Sequence, residues 1–167
     1  MSKGPSYGID RKRTVIVLAA VAVLTAVSVW NALYGGKTRD KADSGNAAQV
    51  ALGQKLYGIH CASCHGADLK GEADWQYRKA DGKLPAPPHD ETGHTWHHPD
   101  QQLFDVIKHG TAAYAPPGYA TDMGAYEDKL SDSDIWAVIA YIQSCWPADI
   151  RMHQRWVTEQ AEAQGGK

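Results

Sequence analysis

The stretch Cys61-Ala62-Ser63-Cys64-His65, followed by Gly66, decides how this chain is read. Two thiols three positions apart lie on one turn of backbone. They can add to the two vinyl groups of a single porphyrin as thioethers. The next residue, His65, then sits under the ring and offers an imidazole nitrogen to the iron. C-x-x-C-H is the attachment signature of a c-type haem. Zinc would need further thiolates or paired histidines nearby. A thioredoxin-like motif would need a βαβ setting, and a chance match in a reduced thiol protein is the plain alternative. Gly66 suits the motif, because glycine lets the chain turn sharply away from a helix end.

The chain has 167 residues, and its pattern outside the motif is helical. Ala47 to His60 carries Val50, Leu52, Leu56, Tyr57 and Ile59 near helical spacing, with Asn46 as a candidate cap. Residues 66–88 are rich in Gly, Asp, Lys and Pro and read as loop. Pro99 to His109 reads as a helix burying Leu103, Phe104, Val106 and Ile107 and stopped by Gly110. Residues 111–129 read as loop again, with a turn at Pro116-Pro117-Gly118. Ser131 to Cys145 is the strongest helix. Ser131 and Asp134 form a capping pair, Ile135, Trp136, Val138, Ile139 and Ile142 follow, and Pro147 stands just past the end. The tail from Asp149 holds one weak helical pattern (Ile150, Met152, Trp156, Val157). With no strand-like alternation, the expected class is all-α: a small helical shell around one covalent haem. A haem is welcome there, since a domain of this size with long loops buries only a modest apolar core.

Ahead of this domain, residues 14–34 are almost entirely apolar, long enough to cross a hydrocarbon core at about 20 residues per span. Arg11-Lys12-Arg13 precedes the run and should stay cytoplasmic, so the expected topology is a single pass of the bacterial cytoplasmic membrane with the haem domain on the periplasmic side. The competing reading is a cleaved leader, with Ala26-Val27-Ser28 as a passable site. The run is longer than a leader core of about 7–15 residues, and Trp30, Leu33 and Tyr34 follow that site. The expected organisation is therefore a basic N-terminus (1–13), an anchor (14–34), a polar linker (35–46), the haem domain (47–147) and a tail (148–167). The chain carries 17 Lys and Arg against 19 Asp and Glu. Lys3, Arg11, Lys12 and Arg13 precede the anchor with only Asp10 against them, so everything after it is net acidic. No basic stripe is visible, which argues against nucleic acid. An acidic carrier instead suits a partner face that is basic or apolar.

A low-spin electron-transfer haem needs a ligand on each face. Of the methionines, Met1 is at the cytoplasmic end and Met152 lies past the last strong helix. Met123 sits in the loop between the 116–118 turn and the helix after Ser131, where a tethered thioether can reach over a ring. Its alternative role is a core gap-filler. A second histidine as sixth ligand is the rival arrangement, with His60 or His109 available, though both suit surface or capping positions. Methionine raises the reduction potential relative to bis-histidine ligation and closes the sixth site.

Residues 50–143 resemble the class I c-type cytochromes, in particular bacterial single-haem members. Ala51-Leu52-Gly53 and Tyr57 ahead of CASCH look like the family's N-terminal helix, where a glycine and an aromatic allow close crossing with the C-terminal helix, here 136–142. Pro87-Pro88-His89 through Gly93-His94-Thr95-Trp96-His97-His98-Pro99-Asp100 is similar to the proline segment. The resemblance implies that the Pro87 carbonyl accepts a hydrogen bond from His65 Nδ1–H and fixes its ring, with Pro88 as the fallback. Pro117-Gly118-Tyr119 with Met123 resembles the ligand loop. Two departures stand out. Gly124 replaces the usual proline after the methionine, and His89 replaces the usual apolar residue two places after the haem-side proline.

His89, His94, His97 and His98, with Asp90 and Glu91, could hold copper or zinc. The plainer reading has one or two of them bonded to loop backbone and the others solvated. Cys145 reads as a buried residue at a helix end. Tyr114, Tyr119 and Tyr126 read as walls of the haem crevice. Arg78, Lys79 and Lys83 are candidates for facing the propionates.

The expected function is a membrane-tethered electron-transfer cytochrome that cycles Fe(III)/Fe(II) without a small-molecule substrate. Quinol–cytochrome c reductases, terminal oxidases or periplasmic dehydrogenases are its expected partners. A six-coordinate iron leaves no open site, and no nucleophile–base pair is visible, so an enzyme is not expected. Two alternatives remain: a permanent haem c subunit of a larger membrane oxidoreductase, and a copper-handling or sensing protein using the 89–98 histidines.

Overall fold

The computed structural model describes residues 16, 17, 21, 23–25 and 41–165. The chain divides into two units, Met1–Thr38 and Arg39–Lys167. In the first, the described residues Ile16, Val17, Val21, Val23, Leu24 and Thr25 are helical and exposed. The rest of the expected anchor lies outside the described residues. Among those described, no helix is long and apolar enough to cross a membrane.

The second unit is helical, with no strand among the described residues. Helix α1 spans Ala47–His60 and starts at Asn46, whose side chain accepts from the amides of Ala48 and Gln49, satisfying two of the free donors at a helix start. A single turn, α2 (Ala62–His65), follows immediately. Helix α3 spans Asp100–His109 and ends at Gly110 with φ 79°. Helix α4 spans Asp132–Ser144 behind a full capping box: Asp134 N–H donates to Ser131 Oγ, and Ser131 N–H donates back to the Asp134 carboxylate. Helix α5 spans Ala148–Ala163.

The core is built on α4, which is apolar nearly all round, as a central helix must be. Ile135, Ala137, Val138, Ile139 and Ala140 are at most 1% exposed. One side packs with Tyr57, Leu69 and Trp146, the other with Phe104 and Leu130. The Phe104 and Trp136 rings stack at 4.4 Å. Burying each such large side chain is worth about 1.5–3 kcal/mol. Helix α1 crosses α4 at Gly53, so closely that a Cβ there would lie 1.9 Å from the Ala137 carbonyl oxygen. Glycine is required because backbone meets backbone. This is the close crossing the sequence suggested for Gly53 and 136–142, and it holds the end of α1, and hence the Cys61–His65 turn, in a fixed place.

The tail differs from expectation. Instead of a weak helix, α5 runs for 16 residues. It is fastened by Ile150, which packs against the core, and by a set of polar groups. Buried Gln154 donates to the Asp100 carboxylate (2.7 Å) and the His98 carbonyl (3.2 Å). Gln143 Nε2 donates to the same Asp100 oxygen at 2.7 Å, and Asp100 N–H donates to Thr158 Oγ1 at 3.1 Å. One carboxylate thus joins α3, α4 and α5. Cys145, expected to be buried, is exposed. It is the C-cap of α4, and the inward position there falls to Trp146, which is 1% exposed.

Candidate haem site

Helix α1 carries the chain straight into the cysteine motif. Cys61 N–H donates to Tyr57 O, His65 N–H to Cys61 O and Gly66 N–H to Ala62 O, so Cys61, Cys64 and His65 occupy one tight turn. Gly66 then leaves at φ 78°, a backbone region glycine adopts freely. A Cβ there would lie 2.7 Å from Asp68 Oδ1. Tyr57 reaches back from α1, and its hydroxyl donates to Gly66 O at 3.1 Å, with His65 O at 3.4 Å. Burial raises the Tyr57 phenol well above its ordinary value, helped by the neighbouring Cys61, so it remains a donor.

His65 is 8% exposed. Its Nδ1 lies 2.9 Å from Pro87 O. A carbonyl only accepts, so Nδ1 carries the hydrogen and Nε2 keeps its lone pair. Burial lowers the ring's pKa from its ordinary value, opposed in part by that carbonyl. Pro87, rather than Pro88, is the partner. Gly71 allows this approach, since a Cβ there would meet Ala86 O at 2.5 Å and Pro87 C at 2.7 Å.

The donor set fits a covalent haem. Cys61 and Cys64 are both free thiols, one partly exposed and one exposed. Burial, then Cys64 nearby, pushes the Cys61 thiol up to about 11. Beside the two thiols stands a neutral imidazole with its Nε2 lone pair available.

Met123 lies in the loop expected for it. Its N–H donates to Thr121 Oγ1 at 3.0 Å, and its carbonyl accepts from Thr111 N–H at 3.3 Å. Gly110 packs against this segment, and a Cβ on it would lie 2.9 Å from Ala125 N. The end of α3 is therefore what holds the Met123 segment. The neighbouring 116–122 stretch also meets the 72–86 loop. The Arg78 guanidinium lies 5.1 Å over the Tyr119 ring, Lys83 pairs with Asp122, and a cleft of about 410 Å³ opens between Arg78, Gly82 and residues 116–120. Lys79 instead pairs with Glu72 at 3.0 Å.

The histidines of the 89–98 segment take different neighbours, although His94 and His98 meet edge to face at 5.4 Å. His89 turns inward and stacks on His65 with ring centroids 4.0 Å apart. His94 stacks on Trp75 at 5.4 Å, and His97 on Trp96 at 3.6 Å. Among the described residues no three His, Cys, Asp or Glu side chains converge as metal ligands. Of the other candidates, His109 pairs with Glu127 at 3.2 Å. The His60 carbonyl accepts from Tyr126 O–H at 2.9 Å. Tyr114 is 56% exposed. In the sequence His89 stands out as a candidate metal ligand and as a polar residue where a core side chain is due. Its stack on His65 does not follow from that reading, although the substitution itself was the signal.

A crossed pair of helices, a thiol-thiol-imidazole turn at the end of one of them, and a prolyl carbonyl behind the imidazole define the class: small helical proteins built around covalent haem. The chain belongs to the cytochrome c family, whose profile matches residues 50–146. Its cofactor is covalent haem c, and the family's work is electron transfer. Among solved structures the chain is similar to cytochrome cL of the marine methylotrophic bacterium Methylophaga aminisulfidivorans. That match has 20% identity and a TM-score of 0.46, and covers 72% of this chain and 67% of the other. No curated protein matches the chain.

Proposed function

We propose that this cytochrome is a membrane-tethered, single-haem electron shuttle on the periplasmic side of a bacterial cytoplasmic membrane. Cys61 and Cys64 hold the porphyrin. His65 and Met123 would supply the iron's protein ligands, and the Pro87 carbonyl fixes the His65 ring. The observation that carries the reading is the 2.9 Å contact between His65 Nδ1 and Pro87 O, because it leaves Nε2 as the atom free to bind iron. When bound, the haem supplies a one-electron couple, tuned by its axial ligands.

The chain's own residues supply the rest. Tyr57 and the Gly53 crossing hold the attachment turn rigid. The short segment from Gly110 to Ala125 presents the methionine. The apolar run 14–34 and the polar linker support tethering, which keeps a carrier at high local concentration beside its partners. Quinol–cytochrome c reductases, terminal oxidases and periplasmic dehydrogenases are the partners proposed. Their encounters should be small and short-lived, as turnover requires.

Visible absorption of the ferric wild type and of Met123→Ala tests the ligand set. The weak far-red band of sulfur-to-iron ligation should be present in the first and lost in the second. Its survival in Met123→Ala would refute the assignment. A second reading, a permanent subunit of a membrane oxidoreductase, is favoured by the large exposed side chains on α5, Met152 at 67% and Trp156 at 56%. Purification in detergent separates the two: a monomer supports the shuttle, and co-purification at fixed stoichiometry supports the subunit.

A further inference from the structure

Two imidazoles lie face to face behind the attachment turn. The rings of His65 and His89 are 4.0 Å apart at the centroids and 23° from parallel. Each is tied through Nδ1 to the carbonyl of a successive proline. His65 binds Pro87 O directly at 2.9 Å. His89 Nδ1 meets Thr95 Oγ1 at 2.8 Å, and the Thr95 hydroxyl donates onward to Pro88 O at 3.4 Å. Thr95 Oγ1 thus holds His89 Nδ1 on one side and faces Pro88 O on the other.

His89 is also fixed at its backbone. Its N–H donates to Leu69 O at 2.7 Å, and its carbonyl accepts from Trp146 Nε1 at 2.7 Å. Thr95 is 7% exposed and Trp146 is 1% exposed. A further support is Gly93, where a Cβ would lie 2.1 Å from Pro88 O. The 88–95 loop therefore closes on itself, and what it presents to the attachment turn is one flat ring held at a fixed tilt.

That geometry supplies something the Pro87 bond cannot. A single hydrogen bond fixes the direction of Nδ1–H within the ring plane. It leaves the ring free to rock about the line from Nδ1 to the carbonyl oxygen. A flat partner pressed against the face opposes that rocking, because tilting drives one edge into contact and opens a gap at the other, losing dispersion contact. A branched aliphatic side chain fills the space without imposing a plane. We propose that His89, held by Thr95, is a positioning residue that sets the plane of the His65 imidazole relative to the haem. The proposal rests on His65 being an axial ligand and is independent of which group binds the opposite face.

The test is electron paramagnetic resonance of the ferric, haem-loaded full chain in detergent, where the largest g value and its linewidth report the orientation and spread of the axial ligand planes. Four proteins are compared: wild type, Thr95→Val, Thr95→Ser and His89→Leu. Thr95→Val keeps shape but removes the hydroxyl, and His89→Leu keeps bulk but removes the flat ring. Both should shift the largest g value and broaden its line. Thr95→Ser should retain the wild-type signal, since it keeps the oxygen. Wild-type position and width in both Thr95→Val and His89→Leu would overturn the proposal, as would a Thr95→Ser signal that matches Thr95→Val. Should His89→Leu fail to accumulate, the Thr95 pair decides the matter alone. Failure of the underlying haem reading looks different: haem would then be extracted from wild type by acid–acetone.

Discussion

Substituting Gly53 by alanine tests the helix crossing on which the site stands. The added methyl would lie 1.9 Å from Ala137 O, 2.5 Å from Ala137 C and 2.9 Å from Tyr141 Cβ. Comfortable contact between heavy atoms needs roughly 3.5 Å, so the backbones must part by about 1.6 Å. None of the three can swing aside, because two are backbone atoms of α4 and the third, Tyr141 Cβ, is fixed directly to that backbone. Overpacking of this kind costs about 3 kcal/mol, the upper part of its usual range. Alanine recovers about 1 kcal/mol of helix propensity, leaving a net loss of about 2 kcal/mol. For a domain of this size the melting temperature should fall by roughly 8 °C.

Gly58 is the control. It lies in the same helix, and a Cβ there would meet nothing within 4 Å, so Gly58→Ala should stabilise by up to about 1 kcal/mol. Thermal unfolding of both variants, haem loaded and followed by far-ultraviolet circular dichroism, gives the comparison. The two should differ by about 3 kcal/mol in opposite directions from wild type. A Gly53→Ala protein that melts as high as Gly58→Ala would refute the close-crossing argument.

Two further outcomes follow from buried polar groups. The Tyr57 phenol stays protonated when folded because burial raises its pKa, while an unfolded tyrosine ionises near pH 10. Above about pH 10 the unfolded chain therefore binds fewer protons than the folded one, and stability must fall as pH rises. Tyr57→Phe should flatten that fall while costing about 1 kcal/mol at neutral pH, as measured by urea midpoints across pH 7 to 11. Gln154→Ala removes donors from the Asp100 carboxylate and the His98 carbonyl, and should cost about 1–3 kcal/mol. An unchanged denaturation midpoint would show that α5 is held by something else.

Where the sequence was easy to read, the cause is local. Asn46, the Ser131–Asp134 box and Gly110 act within one turn of the chain, so the bounds of α1, α3 and α4 were visible in the order of residues. The attachment turn was visible for the same reason. The reach of α5 was hidden because its anchoring residues, Gln154 and Thr158, are polar and find a partner in Asp100 more than fifty positions away. An apolar periodicity cannot report such a bond. Cys145 missed its expected buried place because one position of rotation at a helix end decides which side chain faces inward, and there it is Trp146. The Pro87 contact came from likeness to a family, and only coordinates distinguish it from Pro88. The stack of His89 on His65 also depends on the bonds from Leu69 and Trp146 that fix the His89 backbone, partners far away in the chain.

The two sides of the site rest on unequal footings. His65 grows out of a helix clamped to the most deeply buried element of the molecule, and a doubly hydrogen-bonded loop presses on its ring. Met123 hangs from a short strip of chain moored by Thr111, with Gly110 beneath it. Thermal agitation will therefore undo the domain lopsidedly: the methionine strip should peel first as its own small unit, leaving the histidine half standing.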